Sequence, residues 1–276
     1  MNEQRFHTPG LRSLEIVVPA GDVAVETIDG DESFVVVDGD EKLVEQTTVE
    51  VRGDKLVVDF HGKRSLLGIT IAVGDFSIGG GRLHVRARVP HNVKARLATA
   101  SADMTLHGRF ASLETKTASG DLALSGEIAD DVVVKTVSGD VRLDSVGGEL
   151  RVQSVSGDVR VRSVRGSLVA KSVSGDLRVE SIRAGHAALT SISGDIEIGI
   201  AAGSNVDVDA NTVSGDLSSD VPLASVPGAV DAGRRHHREG RLRLDGPRTS
   251  GLHRRSLAFL RDRRARLVPG TFPEWL

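Results

Sequence analysis

The sequence has 276 residues, a length that fits one or two domains, and it contains no cysteine, which excludes disulfides and thiolate metal sites. Hydrophobic residues make up 39% of the chain but aromatic residues only 3%, so valine and leucine must build the core. The formal net charge of -3 gives no reason to expect a specific nucleic-acid partner. No apolar run approaches the roughly 18 residues of a membrane span, and we expect a cytoplasmic location.

The N-terminal stretch, residues 1–98, predicts an irregular β part. Apolar residues alternate with polar ones in Gly21–Asp40, and Gly-Asp pairs punctuate that alternation. A period of two is typical of strands, and Gly-Asp is typical of turns. Leu83–Pro90 reads as a further strand, and we expect Pro90 to mark the junction with the next part.

The middle of the chain, residues 99–226, contains a repeat. Ser-Gly-Asp occurs six times, from Ser119–Asp121 to Ser214–Asp216, and successive copies are 18 to 21 residues apart. Glycine suits a bend, and the side chain of an aspartate can accept hydrogen bonds from the backbone. We therefore assign a structural turn role to Asp121, Gly139, Asp140, Gly157, Asp158, Gly175, Asp176, Gly194, Asp195, Gly215 and Asp216.

Each repeat reads as two nine-residue units, and each unit as a strand and a bend. Alternation predicts that the charged residues face outward, among them Arg142, Arg160 and Arg178 of three successive repeats. It also predicts two inward apolar columns. The first is Val137, Val146, Val155, Val164, Val173, Ile182 and Ile192, and the second is Leu143, Val152, Val161, Ala170, Val179 and Ile198.

Two all-β architectures fit a repeat of strands and turns. A flat meander would leave the valine face bare, because the body contains no amphipathic helix to cover it. A β-solenoid, a single-chain stack resembling a β-helix, folds that face onto itself with about 18 residues per coil. Segments that are 18 residues apart resemble each other more closely than segments that are nine residues apart, as expected when one coil lies on the next. The pattern therefore favours the solenoid.

The repeated polar residues raise the question of a site. Six aspartates in one column could form a cation ladder, but the calcium-binding nonapeptide pattern is not matched, so we expect turns and no metal site. We expect no catalytic and no cofactor-binding residue either, because no nucleophile motif is present. A further column of hydroxyls predicts a ladder that bonds neighbouring coils. Its members are Thr136, Ser145, Ser154, Ser163, Ser172, Ser181, Ser191 and Thr212.

The C-terminal stretch, residues 227–276, is a basic tail. From Asp231 to Leu276 there are 12 Arg and 5 acidic residues, a net charge of 12 - 5 = +7. Such a segment is typical of a disordered arm, although Leu257, Leu260 and Leu267 could form one face of a capping helix, and a frameshift would also produce this composition. We expect poor order, at most one short helix, and little contact with the solenoid.

The pattern [ST]-V-S-G-D-[VL]-x-[VL], preceded by Arg88–Pro90 and the stretch NVKARLATASADMTLHG, resembles a bacterial family. It is similar to the "putative adhesin" or toastrack β-solenoid domains of unknown function, and the resemblance covers about Leu14 to Asp220. The resemblance implies a stack of β-strand repeats and a link to cell-envelope stress or adhesion. The family offers no catalytic residues.

Three functions remain open at this point. The first is a non-catalytic binding or scaffold protein with an unknown protein partner, because a solenoid offers an extended surface. The second is a self-assembling structural protein that associates through the ends of the solenoid. The third is a β-helix enzyme acting on polysaccharides, which the scarcity of aromatic residues argues against. We expect a protein that is not an enzyme.

Overall fold

A computed structural model describes residues 3–61, 64–66, 69–71, 81–219 and 241–243. Nearly all of these residues lie in strands, and the single helix in this part of the chain, α1, spans Glu41–Glu45. The strands are β1 (Glu3–His7), β2 (Ser13–Ile28), β3 (Glu32–Gly39), β4 (Thr47–Arg52), β5 (Lys55–Phe60), β6 (Arg64–Leu66), β7 (Ile69–Ile71), β8 (Leu83–Pro90), β9 (Lys94–Phe110), β10 (Ser112–Ser119), β11 (Leu122–Ile128), β12 (Val132–Ser138), β13 (Val141–Val146), β14 (Leu150–Ser156), β15 (Val159–Val164), β16 (Leu168–Ser174), β17 (Leu177–Ser193), β18 (Ile196–Ser214), β19 (Leu217–Ser219) and β20 (Arg241–Arg243).

The fold is an all-β solenoid, which confirms the architecture expected from the repeat. Each coil of about 19 residues carries two strands separated by two corners. Strand β14 pairs in parallel with β12 and β16, so that Leu150 lies opposite Leu168, and β15 pairs in parallel with β13 and β17. Equivalent residues of successive coils therefore stack about 4.8 Å apart.

The stacked strands form two walls. Wall 1 contains the strands that lead into the Ser-Gly-Asp corner: β10, β12, β14, β16 and the later parts of β17 and β18. Wall 2 contains the strands that follow this corner: β11, β13, β15, the first parts of β17 and β18, and β19. The long strands β2 and β9 run through both walls, because each bends at its own corner.

The N-terminal end has a different pairing pattern. Strand β2 pairs in parallel with β5 and β8, but beyond these strands the pairing becomes antiparallel, through β4 on β5, and through β3 on β8 and β1 on β3. Helix α1 joins β3 to β4, and its N-cap Asp40 accepts hydrogen bonds from the N–H groups of Lys42 and Leu43. The boundary expected between residues 98 and 99 lies inside β9, so the stacking continues across it.

The core consists of stacked Leu, Val and Ile side chains between the two walls. All six members of the second predicted column are buried, as expected, and Val161 is typical of them. The first column is only partly correct. Val146, Val164 and Ile182 are buried, whereas Val137 and Val155 are half-buried and Val173 and Ile192 are exposed.

Strand geometry explains why the first column splits. In β14 alternation places Leu150, Val152 and Ser154 inside, so Val155 must point outward. In wall 2 the alternation is interrupted before the second corner. Val161 and Val164 are three residues apart, so uninterrupted alternation would place them on opposite sides, but both are buried. The two nine-residue units of a coil are therefore not equivalent, and treating them as one pattern assigned four of the seven members of the column to the wrong side.

The predicted tail, residues 227–276, lies outside the described residues except for one strand. Strand β20 pairs antiparallel with β18, and its register sets Arg241 against Asp209 and Arg243 against Asp207. The tail therefore contacts the last coil of the solenoid at this one described strand. The other expectations for the tail stay predictions.

Candidate binding surface

The Ser-Gly-Asp corner joins each coil to the next through its aspartate. The Oδ1 atom of Asp158 accepts a hydrogen bond from the backbone N–H of Asp176 at 3.0 Å, and the N–H of Asp158 donates to Oδ1 of Asp140 at the same distance. Six such bonds of 2.7 to 3.0 Å form a continuous ladder through Asp103, Asp121, Asp140, Asp158, Asp176, Asp195 and Asp216.

Backbone hydrogen bonds flank the aspartate ladder on both sides. The N–H of Gly157 donates to the carbonyl oxygen of Ser174 at 3.2 Å, and the N–H of Val159 donates to that of Asp176 at 2.9 Å. Three hydrogen bonds therefore connect each corner to the next. The aspartate replaces a backbone carbonyl as acceptor where the chain turns away from regular sheet geometry.

Each corner glycine is required because successive corners stack closely. A Cβ atom added to Gly157 would lie 2.4 Å from the carbonyl oxygen of Gly139, a distance that no side chain tolerates. Gly157 also has a φ of 133°, as expected for a turn glycine, whereas Gly139 does not have a positive φ. Crowding is common to the whole column, in which Gly139, Gly157, Gly175, Gly194 and Gly215 would each place a Cβ atom 2.2 to 2.4 Å from a carbonyl oxygen.

The second oxygen of several corner aspartates faces arginine. The Nη2 atom of Arg142 lies 2.8 Å from Oδ2 of Asp140, and that of Arg160 lies 2.7 Å from Oδ2 of Asp158. The guanidinium of Arg160 also lies 3.9 Å from Asp140, so it faces two coils. In the described part of the chain no group of three or more His, Asp or Glu side chains could hold a metal ion.

The outer surface of wall 2 is a grid of opposite charges. The side chain of Arg178 donates to Glu197 of the next coil at 2.6 Å, and Arg162 pairs with Asp144 of the preceding coil. The hydrogen bond that Arg178 donates to Glu197, together with the negative charge of Glu197, raises the pKa of Arg178. Because these charges are exposed and already paired, wall 2 resembles an ordinary solvated surface.

The outer surface of wall 1 has a different character. One apolar side chain from each of five successive coils stacks there, next to the Ser-Gly-Asp corner. Val173, Ile192 and Val213 keep 39%, 38% and 41% of their surface exposed, which makes them the most prominent apolar side chains of the wall. We call this set the valine row: Val137, Val155, Val173, Ile192 and Val213.

Sequence reasoning missed the valine row because it placed most of these residues in the core. The available signal was strict alternation in wall 1, where Leu150 and Val152 fix the inward side. Beside the row the wall carries polar side chains, among them the exposed Lys135 and Lys171. Further along the wall, burial of Glu114 opposes its ionisation, but hydrogen bonds from Lys116 and Arg96 outweigh that effect and lower its pKa.

The predicted hydroxyl ladder is divided between the two walls. Thr136, Ser154, Ser172 and Ser191 are buried in wall 1, whereas Ser145, Ser163 and Ser181 are half-buried in wall 2. None of the four buried hydroxyls has a hydrogen-bond partner among the described residues. Direct bonding between them was therefore a wrong prediction. Only at the last coil does a hydroxyl of this column, that of Thr212, donate to the neighbouring coil, to the carbonyl oxygen of Gly194 at 3.1 Å.

The two walls and the laddered corner define a parallel β-solenoid with a repeating outer surface. The chain belongs to the Toastrack DUF4097 family, whose model matches residues 11–237. No curated protein matches the sequence. None of the helices in the described residues is long and apolar enough to cross a membrane.

Two crystal structures have a similar fold. One is a "putative lipid binding protein" from Parabacteroides distasonis, which is 14% identical, with a TM-score of 0.51 over 79% of this chain and 91% of that one. The other is a "putative adhesin" from Bacteroides fragilis, which is 12% identical, with a TM-score of 0.50 over 79% of this chain and 96% of that one. At these identities the likeness concerns the fold.

Proposed function

We propose that this chain is a non-catalytic scaffold that binds a protein partner along the outer surface of wall 1. The observation that carries the proposal is the valine row. In a parallel stack five residues separated by four coil spacings extend over about 19 Å, a length suited to an extended segment or a strand of a partner.

The exposure of the row supports a binding role. β-Branched side chains on a water-exposed wall lose the hydrophobic stabilisation that the same residues gain in the core, so a row of them is unusual without a partner. The adjacent Lys135 and Lys171 add positive charge that would favour a partner with acidic residues beside an apolar stretch.

The names of the two structural neighbours refer to adhesion and lipid binding, which are binding functions. They support a binding role for this chain without identifying its ligand.

The cytoplasmic location and the link to cell-envelope stress or adhesion remain proposals. Cell fractionation followed by detection of the native protein tests the location directly.

The proposal is tested by changing the valine row without changing the corner. The variant carries Val173→Lys and Ile192→Lys, and a control with the same added charge carries Ala123→Lys and Ser125→Lys on wall 2. We expect a partner that is cross-linked to the native chain in cell lysate to be retained by the control. The same partner, once purified, should bind the valine-row variant at least tenfold more weakly. Equal binding by the two variants, or no reproducible partner, would contradict the proposal.

Self-assembly through the ends of the solenoid is the alternative. It is favoured by β19, which pairs with β18 and whose other edge, at wall 2, is not paired with any strand among the described residues. The opposite end is less suitable, because β1 and β4 are antiparallel strands bearing charged residues such as Arg5 and Glu50. Size-exclusion chromatography with light scattering distinguishes the two functions, since assembly predicts a mass that increases with protein concentration.

A further inference from the structure

We propose that the interior of wall 1 holds a file of ordered water molecules beside the Ser-Gly-Asp corner. The site is a column of five hydroxyl side chains on successive coils, each at most 5% exposed. The parallel register places them directly above one another. We call this set the hydroxyl column: Thr117, Thr136, Ser154, Ser172 and Ser191.

The hydroxyl column is unsatisfied by protein groups. Each of its five oxygen atoms is enclosed, and none has a hydrogen-bond partner in the described part of the chain. A buried hydroxyl without a partner destabilises the folded state, and nearly all such groups in proteins are bonded either to protein or to ordered water. Five in succession would be a large accumulated cost, so the column requires an additional bonding partner.

The spacing of the coils excludes direct bonds and suits water. Equivalent hydroxyls on neighbouring coils are about 4.8 Å apart, whereas an O–H···O bond requires about 2.8 Å. A water molecule about 1.4 Å to the side of the line that joins two such oxygens would lie about 2.8 Å from both. One water molecule can therefore bridge each pair of neighbouring hydroxyls.

The two ends of the column differ from its middle. Before it, the hydroxyl of Thr99 accepts a hydrogen bond from the backbone N–H of Ala102 at 2.8 Å. After it, Thr212 donates to the carbonyl oxygen of Gly194. The column is thus bounded by threonines that the backbone satisfies. In the middle, three of the five positions carry serine, which is one methyl group smaller than threonine and so occupies less of the wall 1 interior.

The chemistry of the column selects water among small ligands. Its side chains are neutral donors and acceptors, and the other inward residues on strands β12, β14 and β16, such as Val152 and Ala170, are apolar. On strand β10 the inward Thr115 adds one more neutral hydroxyl. A cation would require carboxylate or carbonyl ligands, and an anion would require a positive charge. Water satisfies hydroxyls without either.

The first test is a high-resolution crystal structure of the full chain. Five hydroxyls have 5 - 1 = 4 gaps between them, and we expect one ordered water molecule in each gap. The opposite result would be hydroxyls rotated onto backbone carbonyls, as in Thr212, with no water density between them. That result would overturn the proposal.

The second test counts long-lived internal water molecules by oxygen-17 magnetic relaxation dispersion. Ser172→Ala removes a hydroxyl that borders two gaps, so two of the four long-lived water molecules should be lost. Ser172→Thr retains the hydroxyl and should keep all four, because threonine already occupies two positions of the column. Val173→Ala changes the neighbouring residue on the outer surface and should also keep all four. An unchanged count in Ser172→Ala would overturn the proposal.

Discussion

Strands β14 and β16 of wall 1 bury apolar side chains in the middle, whereas at the corner end they bury a polar side chain and turn an apolar one outward. In the middle of β14, Val152 is buried and Arg151 is exposed, as the hydrophobic effect requires. At the end of the same strand the polar Ser154 is buried and the apolar Val155 lies on the outside. The inversion recurs in β16, where Ser172 is buried and Val173 is exposed.

At the end of the strand, the alternation of the strand, and not the hydropathy of each residue, determines which side chains point inward. Alternation continues without interruption from the core to the corner, so residue parity alone decides which side chain points inward. Near the corner the walls converge on a turn in which a glycine and an aspartate stack on their counterparts in the neighbouring coils. A small polar residue inside and a branched residue outside are the result.

The largest effect is expected in the middle of a strand. Val161→Asp places an unpaired charge between coils, and we expect it to lower the free energy of unfolding by about 3–5 kcal/mol. Arg160→Asp on the outer surface removes exposed ion pairs with Asp158 and Asp140 and should cost less than about 1 kcal/mol. Urea denaturation measures both. Equal losses would show that the inward and outward sides have been confused.

The corner should come second. Gly157→Val forces a side chain against the carbonyl oxygen of Gly139 and imposes a strained φ, and we expect a loss of about 2–4 kcal/mol. Gly30→Val is a matched control, because Gly30 also has a positive φ, of 102°, but has open space around its Cα. Thermal denaturation should show a smaller loss for the control. If the two losses were the same, the backbone conformation would be the cause and stacking would not.

The aspartate ladder should have an intermediate effect. Asp158→Ala removes the acceptor for the N–H of Asp176, together with the ion pair to Arg160, and we expect a loss of about 1–2 kcal/mol. Asp158→Asn keeps an acceptor oxygen and should recover part of that loss. Urea denaturation of the three proteins provides the comparison. Identical stabilities of the Ala and Asn variants would mean that the hydrogen bond along the ladder contributes little.

The smallest effect is expected at the valine row. Val155→Ser should change the free energy of unfolding by no more than about 0.5 kcal/mol, since its side chain already contacts solvent. Val152→Ser, three residues earlier on the inward side, should cost about 2 kcal/mol or more. A large loss of unfolding free energy in Val155→Ser would show that the side chain of Val155 belongs to the core.

The sequence by itself determined the solenoid, its coil length and the position of the corners. The 18-residue recurrence favours stacked coils, and a glycine followed by an aspartate at each recurrence indicates a turn, since both signals are local or periodic. The middle of the strands was also predictable, because buried Val and Leu alternate with charged residues such as Arg160.

Only the tertiary structure decided what happens where the coils meet. In the sequence the two halves of a coil look equivalent. In the structure the alternation of wall 2 is interrupted before Val164, whereas that of wall 1 continues as far as Val155. It also could not show that the need for Gly157 comes from the carbonyl of Gly139, or that Ser154 is enclosed without a protein partner. These features depend on contacts between residues about 18 positions apart, and such contacts exist only once one coil lies on another.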